Sequence, residues 1–111
     1  MAQTAPAEAS AAQVRDRSWV YFDGRVCRYD EARVGLMTHG LHYGTGCFEG
    51  IRAYWDEAAE QLWTFRMPEH FDRLRNSGRI LRMQLPLSTP QLCEITLDLL
   101  RRNKFRSDVY I

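Results

Sequence analysis

Arg52 stands in a run suited to a β-strand, two residues after Gly50 and two before Tyr54. At the strand period of two, Phe48, Gly50, Arg52 and Tyr54 share one face, and Cys47, Glu49, Ile51 and Ala53 the other. A guanidinium on an aromatic-walled face, with the open space a glycine leaves beside it, can take a carboxylate in its two-pronged fork. The rings then hold the apolar part of the same ligand. The spacing fits equally an edge arginine paired with Glu49 or Asp56, and does not choose between the two. Arg73 lies one position off the apolar stripe of a later helical segment. Near a glycine-rich loop it could hold a phosphate, but border arginines commonly lay their methylenes over apolar surface and keep the head in water, and by spacing alone Arg73 reads that way. Arg66, Arg75, Arg79 and Arg82 read as ordinary charges of a helix surface.

Other chemistries find little support. His39 and His42 are three apart without a HExxH pattern or a convincing acidic third ligand, so no metal site is expected. His70 reads as packed or hydrogen-bonded at a helix start. Tyr43, beside Gly44, either places a phenol in a cleft or is buried with its hydroxyl satisfied. Ser77 and Ser88 have no nucleophile elbow around them, and Gly44-Thr45-Gly46 is too short for a phosphate-binding fingerprint. Cys27, Cys47 and Cys93 are odd in number and not closely paired, which suits reduced thiols in the cytoplasm. Fifteen basic against fourteen acidic residues leave a net charge of +1. That is too little to drive general nucleic-acid binding, although a single arginine can still bind a small anion. No run approaches the roughly 18 apolar residues of a membrane span, and the opening residues lack the basic start and apolar core of a secretory signal, so no membrane partner is expected.

These side chains need elements to hold them. Residues 1–17 offer no apolar period to bury and read as a flexible tail. Strands are expected at 19–22 and 25–29 around an Asp23-Gly24 turn, at 47–54, at 61–65 and at 108–111. Residues 34–37 fit loop or strand, and residues 55–60 read as a polar connection. Gly40, Gly44, Gly46 and Gly50 favour tight loops over a long helix. A helix is expected from Pro68 to about Arg82, with Phe71, Leu74, Gly78 and Leu81 as its apolar stripe and Gly78 permitting a close approach. A second helix, opened by a Ser88–Gln91 capping box, should run to about Asn103 and bury Leu92, Ile95, Leu99 and its neighbours against the sheet. The fold class is α+β, a two-layer sandwich with a mainly antiparallel sheet covered by two helices.

Two long stretches carry a resemblance. Residues 41–54, LHYGTGCFEGIRAY, and 69–81, EHFDRLRNSGRIL, closely resemble the branched-chain amino acid aminotransferases of the fold-type-IV (class IV) pyridoxal-phosphate enzymes. The resemblance extends over about residues 19–111, including the flanks WVYFDGRV and RRNKFRSDVYI. D-amino acid aminotransferases and aminodeoxychorismate lyases share the general plan, but FEGIR is similar to the branched-chain group. The resemblance implies that Arg73 grips the phosphate of pyridoxal 5′-phosphate, reversing its reading from spacing. It implies that Phe48, Gly50 and Arg52 line the substrate pocket, that Tyr110 faces the substrate, and that Tyr43 reaches the active site of a neighbouring subunit in a homodimer or larger homo-oligomer. The implied reaction moves an amino group between leucine, isoleucine or valine and 2-oxoglutarate, giving branched-chain 2-oxo acids and glutamate.

The family keeps its catalytic lysine in a larger second domain. Lys104, the only lysine here, falls at a helix exit and does not match it, so no catalytic residue is expected in this chain. Because residue 111 falls inside an apparent strand, residues 18–111 read as the small N-terminal domain of a class IV aminotransferase cut before its large domain, and inactive alone. The alternatives are a noncatalytic interaction or dimerisation module of the same descent, or a class IV enzyme for another amino acid.

Overall fold

The structure, a computed structural model, describes residues 15–111. Residues 1–14 of the expected tail lie outside the described residues. The described residues divide into two compact units, 15–33 and 34–111.

In the first unit, β1 (Trp19–Phe22) and β2 (Arg25–Arg28) form a two-stranded antiparallel hairpin in which Trp19 faces Arg28. Asp23 and Gly24 both have positive φ, 48° and 81°. That is the two-residue turn whose twist matches the strands it joins, and aspartate followed by glycine adopts it at least cost. The Arg28 guanidinium lies 4.7 Å from the Trp19 ring centroid across the pair. A 3-10 turn at Tyr29–Glu31 follows, and Arg15 sits over the Tyr29 ring at 5.3 Å.

In the second unit, residues 34–37 are loop. Where only tight loops were expected, a five-residue helix forms, α1 (His39–Tyr43), stopped by Gly44 at φ 65°. A three-stranded antiparallel sheet follows, ordered β4 (Gln61–Thr64), β3 (Arg52–Asp56), β5 (Val109–Tyr110). The strands thus form two sheets rather than the single one expected. β3 also begins at Arg52 rather than at residue 47. A strand needs a ladder, and β5 supplies pairing only opposite Arg52 and Ala53, extended by Ile51 and Ile111 exchanging backbone hydrogen bonds of 3.2 and 2.8 Å. Residues 44–50 lie before that ladder starts. At its other end Trp55 and Asp56, expected in the connection, belong to the strand because Leu62 and Gln61 pair with them.

Two helices cover the sheet, α2 (Met67–Ile80) and α3 (Thr89–Asn103). Pro68 falls in the first turn of α2, and the Ser88–Gln91 capping box opens α3 with both reciprocal bonds made. Ile51, Met67 and Phe71 form the core, with Leu74, Leu92, Cys93, Leu97 and Ile111 packed against it. Leu81 falls outside α2 and is 41% exposed. The inward face of α3 is turned from the expected one: Cys93, Thr96 and Leu97 point in with Leu92, while Ile95 and Leu99 stay outside the central cluster. A threonine can occupy that face because its hydroxyl donates to the Leu92 carbonyl at 2.8 Å, leaving no unpaired polar atom. Gly78 takes the expected close approach: a Cβ there would stand 3.2 Å from the Met83 carbonyl oxygen, and Met83 N donates to Gly78 O at 2.9 Å.

Ser88→Ala removes one half of the capping box, and should lower unfolding free energy by about 1 kcal/mol. Urea denaturation checks this; an unchanged midpoint would show that the cap contributes nothing.

Candidate functional site

The alternation of residues 47–55 divides the candidate residues between two sides of one stretch. Ile51 and Ala53 are buried toward the helices, and Arg52 and Tyr54 are exposed on the opposite face. Glu49 shares the inward direction, yet it is an acid. With only 7% of its side chain exposed, its carboxylate must find donors.

Those donors come from α2. Arg73 gives Nε to Glu49 Oε2 at 2.9 Å and Nη2 to Oε1, a two-pronged arrangement. His70, one turn earlier, places Nδ1 3.0 Å from the same Oε1. The spacing of three puts both side chains on one helix face, which is why one carboxylate reaches both. Hydrogen bonding from Arg73 first, and from His70 second, lowers the Glu49 pKa from 4.5 to about 2. An ionised carboxylate only accepts, so His70 donates from Nδ1. The Arg73 guanidinium is raised further above its ordinary value by the same partner. Beside this cluster lies an open groove of about 410 Å³ lined by Phe65, Arg66, Glu69, His70 and Arg73.

On the other face, Arg52 sits directly opposite Tyr110 across β3 and β5. Gly50 is where close approach requires a glycine: a Cβ built there would run into the Tyr110 hydroxyl, with ring carbon Cζ 2.9 Å away. Arg52 Cζ lies 5.7 Å from the Tyr54 ring centroid. The two readings that spacing left open for Arg52 are thereby separated: Glu49 is committed to Arg73 and His70, Asp56 accepts from Ala59 N, and Arg52 makes no ion pair among the described residues. Gly50, Arg52, Tyr54 and Tyr110 therefore form one open surface. Phe48, 88% exposed, stands on the preceding loop, and Tyr43, 75% exposed, ends α1. The Tyr43 ring packs against His39 with centroids 4.5 Å apart. His39 Nδ1 and Thr45 Oγ1 share a 2.6 Å hydrogen bond, and His42 Nε2 donates to Leu36 O at 2.8 Å. Both histidines brace this loop, and no metal-binding cluster occurs among the described residues. Lys104 caps α3 in a left-handed conformation beside Trp55, Leu97 and Leu100, a separate groove from the one at Arg73.

Three features escaped the sequence reading. The Glu49 pairing was hidden because its donors lie 21 and 24 residues away. Arg75, read as a surface charge, donates to the Leu85 and Leu87 carbonyls at 3.3 and 2.6 Å, tying down the turn between α2 and α3. Met67 is buried at the start of α2, just ahead of the proline from which the helix was expected to begin.

No protein-family model matches the chain. A probable branched-chain-amino-acid aminotransferase of Aquifex aeolicus is 45% identical to it over 93 residues, which is 84% of this chain and 30% of that protein. The chain is homologous to part of the branched-chain aminotransferases. Solved structures agree. The branched-chain aminotransferase of the archaeon Thermoproteus uzoniensis with norvaline superimposes with a TM-score of 0.78 at 38% identity, over 84% of this chain and 31% of that one. A T.th. branched-chain amino acid aminotransferase complexed with N-(5′-phosphopyridoxyl)-L-glutamate gives 0.75 at 38% identity, over 82% and 30%. The chain spans about 30% of the length of the curated branched-chain aminotransferases it matches. No helix among the described residues is long and apolar enough to cross a membrane.

The low Glu49 pKa fixes a pH dependence. Its folded value lies below the ordinary 4.5, so the pairing contributes fully above about pH 4.5 and is lost as pH falls through about 2. Stability measured by urea denaturation should decline across that window in the native chain and decline less in Glu49→Gln; parallel curves would show that Glu49 is not the group responsible.

Proposed function

We propose that this chain is the substrate-facing, phosphate-gripping part of a pyridoxal-phosphate-dependent branched-chain aminotransferase. The observation that carries the reading is the Arg73 fork, held by Glu49 beside an open groove, within a segment homologous to such enzymes over 84% of its length. The residues present fit the phosphate end of the cofactor: Arg73 supplies a rigid multi-donor cation, and Arg66 lines the same groove. They do not offer its attachment point, since Lys104 lies in another groove. Bound pyridoxal 5′-phosphate supplies the electron sink for removing the amino acid α-proton.

The chain's own residues bind and orient. Arg73 anchors the phosphate while bonds change at the far end of the cofactor. Phe48 offers apolar surface to a leucine-like side chain, and Gly50 keeps Tyr110 close to the substrate face. Arg52 receives the second carboxylate when glutamate or 2-oxoglutarate occupies the same pocket, so that charge is not left unpaired. The bound ligands of two related structures, norvaline in one and a phosphopyridoxyl-linked glutamate in the other, support a pocket that takes both an apolar and an acidic amino acid. Tyr43, exposed at the end of α1, completes the site of a neighbouring subunit in a homodimer or larger homo-oligomer. The thiols of Cys27, Cys47 and Cys93, all free, suit the cytoplasm.

Two outcomes follow. Incubated with pyridoxal 5′-phosphate, the 111-residue chain should form no specific borohydride-stable adduct at Lys104 and move no amino group from leucine to 2-oxoglutarate; peptide mapping of such an adduct together with glutamate formation would contradict this. In the enzyme containing this segment, Arg52→Gln should raise the KM for 2-oxoglutarate about tenfold or more, the value of a lost charge-assisted bond, and raise that for leucine much less. Equal effects on both would remove Arg52 from its assigned role.

A further inference from the structure

A guanidinium has five N–H donors and more than one edge able to hold two oxygens at once. In Arg73 the Nε and Nη2 edge is taken by Glu49. Nη1 has no hydrogen-bond partner among the described residues, and two-thirds of the side chain remains exposed, at 67%. We propose that Glu49 is a positioning residue, holding one edge of Arg73 so that the Nη1–Nη2 edge is presented to the groove and takes a phosphate monoester without displacing the carboxylate. This deepens the cofactor reading above and rests on it.

Three observations support the arrangement. Glu49 is almost wholly buried, so it cannot swing into water when an anion arrives, and its loss of Arg73 would strand a charge. His70 also holds the carboxylate, its Nδ1 lying 3.0 Å from the Oε1 that Arg73 Nη2 contacts, which limits rotation of the carboxylate about its own bond. The groove is lined by Arg73 and His70 but not by Glu49. An arginine left to itself would lose side-chain freedom on gripping a phosphate, which opposes binding. One already clamped by an acid has lost that freedom beforehand. The sequence requirement is narrow. An acid is needed at 49, on the inward face of the stretch, with Gly50 beside it facing the other way.

The two-edge arrangement makes a distinct spectroscopic prediction. In the 111-residue chain, ¹⁵N nuclear magnetic resonance of the Arg73 side chain is followed during titration with pyridoxamine 5′-phosphate, which lacks the aldehyde, with pyridoxamine as the phosphate-free control. The phosphate ester should shift Nη1 while the Nε–H signal stays at its Glu49-bonded position, and pyridoxamine should shift neither. Arg73→Gln should weaken binding on the order of tenfold or more. Glu49→Gln, of nearly the same size, should release the Nε–H signal to that of a free arginine and spread the ligand response over both edges. Arg73→Lys keeps the charge without the second edge and should bind as poorly as Arg73→Gln; binding as tight as the native chain would overturn the proposal whether or not Glu49→Gln folds. Release of Nε on ligand binding, or an unchanged response in a folded Glu49→Gln, would also overturn it while leaving Arg73 as the phosphate ligand. Absence of any Arg73 response to the phosphate ester would overturn the cofactor assignment itself, and the two-edge proposal with it.

Discussion

The carboxylate of Glu49 sits where 7% of its side chain still meets water, and an ion so placed is tolerable only with close, well-directed partners. Arg73 and His70 supply them from one face of α2. That contact fastens the irregular stretch before β3 to the helix layer. It also sets the orientation of everything after it in the chain. With Glu49 turned inward, Gly50 must turn outward, Ile51 inward to the core and Arg52 outward beside Tyr110. A shift of one residue would exchange the two sets, putting Arg52 in the core and Ile51 in the pocket wall. The same acid therefore governs both the groove at Arg73 and the open face at Arg52.

One short segment thereby ties the groove at Arg73 to the open face at Arg52. Arg73 belongs to the groove side and Arg52 to the sheet face, and the backbone between Glu49 and Arg52 is the short link. It is fixed at Ile51, whose N–H and carbonyl both bond to Ile111, and by the burial of Ala53. Asp108 extends the anchoring by accepting from Trp55 N at 2.9 Å. Placement of Tyr110 over Gly50 thus follows from pairing at the far end of the sequence, after α2 and α3 have returned the chain to the sheet. Arg75 contributes at a distance, since its bonds to the Leu85 and Leu87 carbonyls shape the turn that makes this return.

Local chemistry was legible in the sequence wherever it is local in the fold. Asp23-Gly24 could hardly serve as anything but a hairpin turn, and Ser88 and Gln91 announce the start of α3 by groups that bond within one turn. The period-two pattern sorted Arg52 from Ile51 and Ala53 correctly even though regular pairing begins only at Arg52. What could not be read depends on partners distant in the chain. Spacing alone read Arg73 as covering apolar surface, the resemblance implied a phosphate ligand, and neither indicated that Glu49 would hold it. The inward face of α3 was misjudged because Leu92 belongs to two overlapping stripes, and a threonine that bonds to its own helix can occupy the core side as well as an isoleucine. The division into two sheets escaped for a similar reason, since strand propensity says nothing about which strands share a ladder.

In the proposed role, Arg73, held by Glu49, grips the cofactor phosphate while Arg52 and Tyr110 face the substrate. A crystal structure of the enzyme containing this segment, with a phosphopyridoxyl–leucine conjugate bound, measures it most directly. The phosphate is expected within hydrogen-bond distance of Arg73 Nη1, with the Glu49 contact retained and the leucine side chain beside Phe48 and Gly50. A phosphate bound elsewhere, with Arg73 still turned wholly to Glu49, would contradict it.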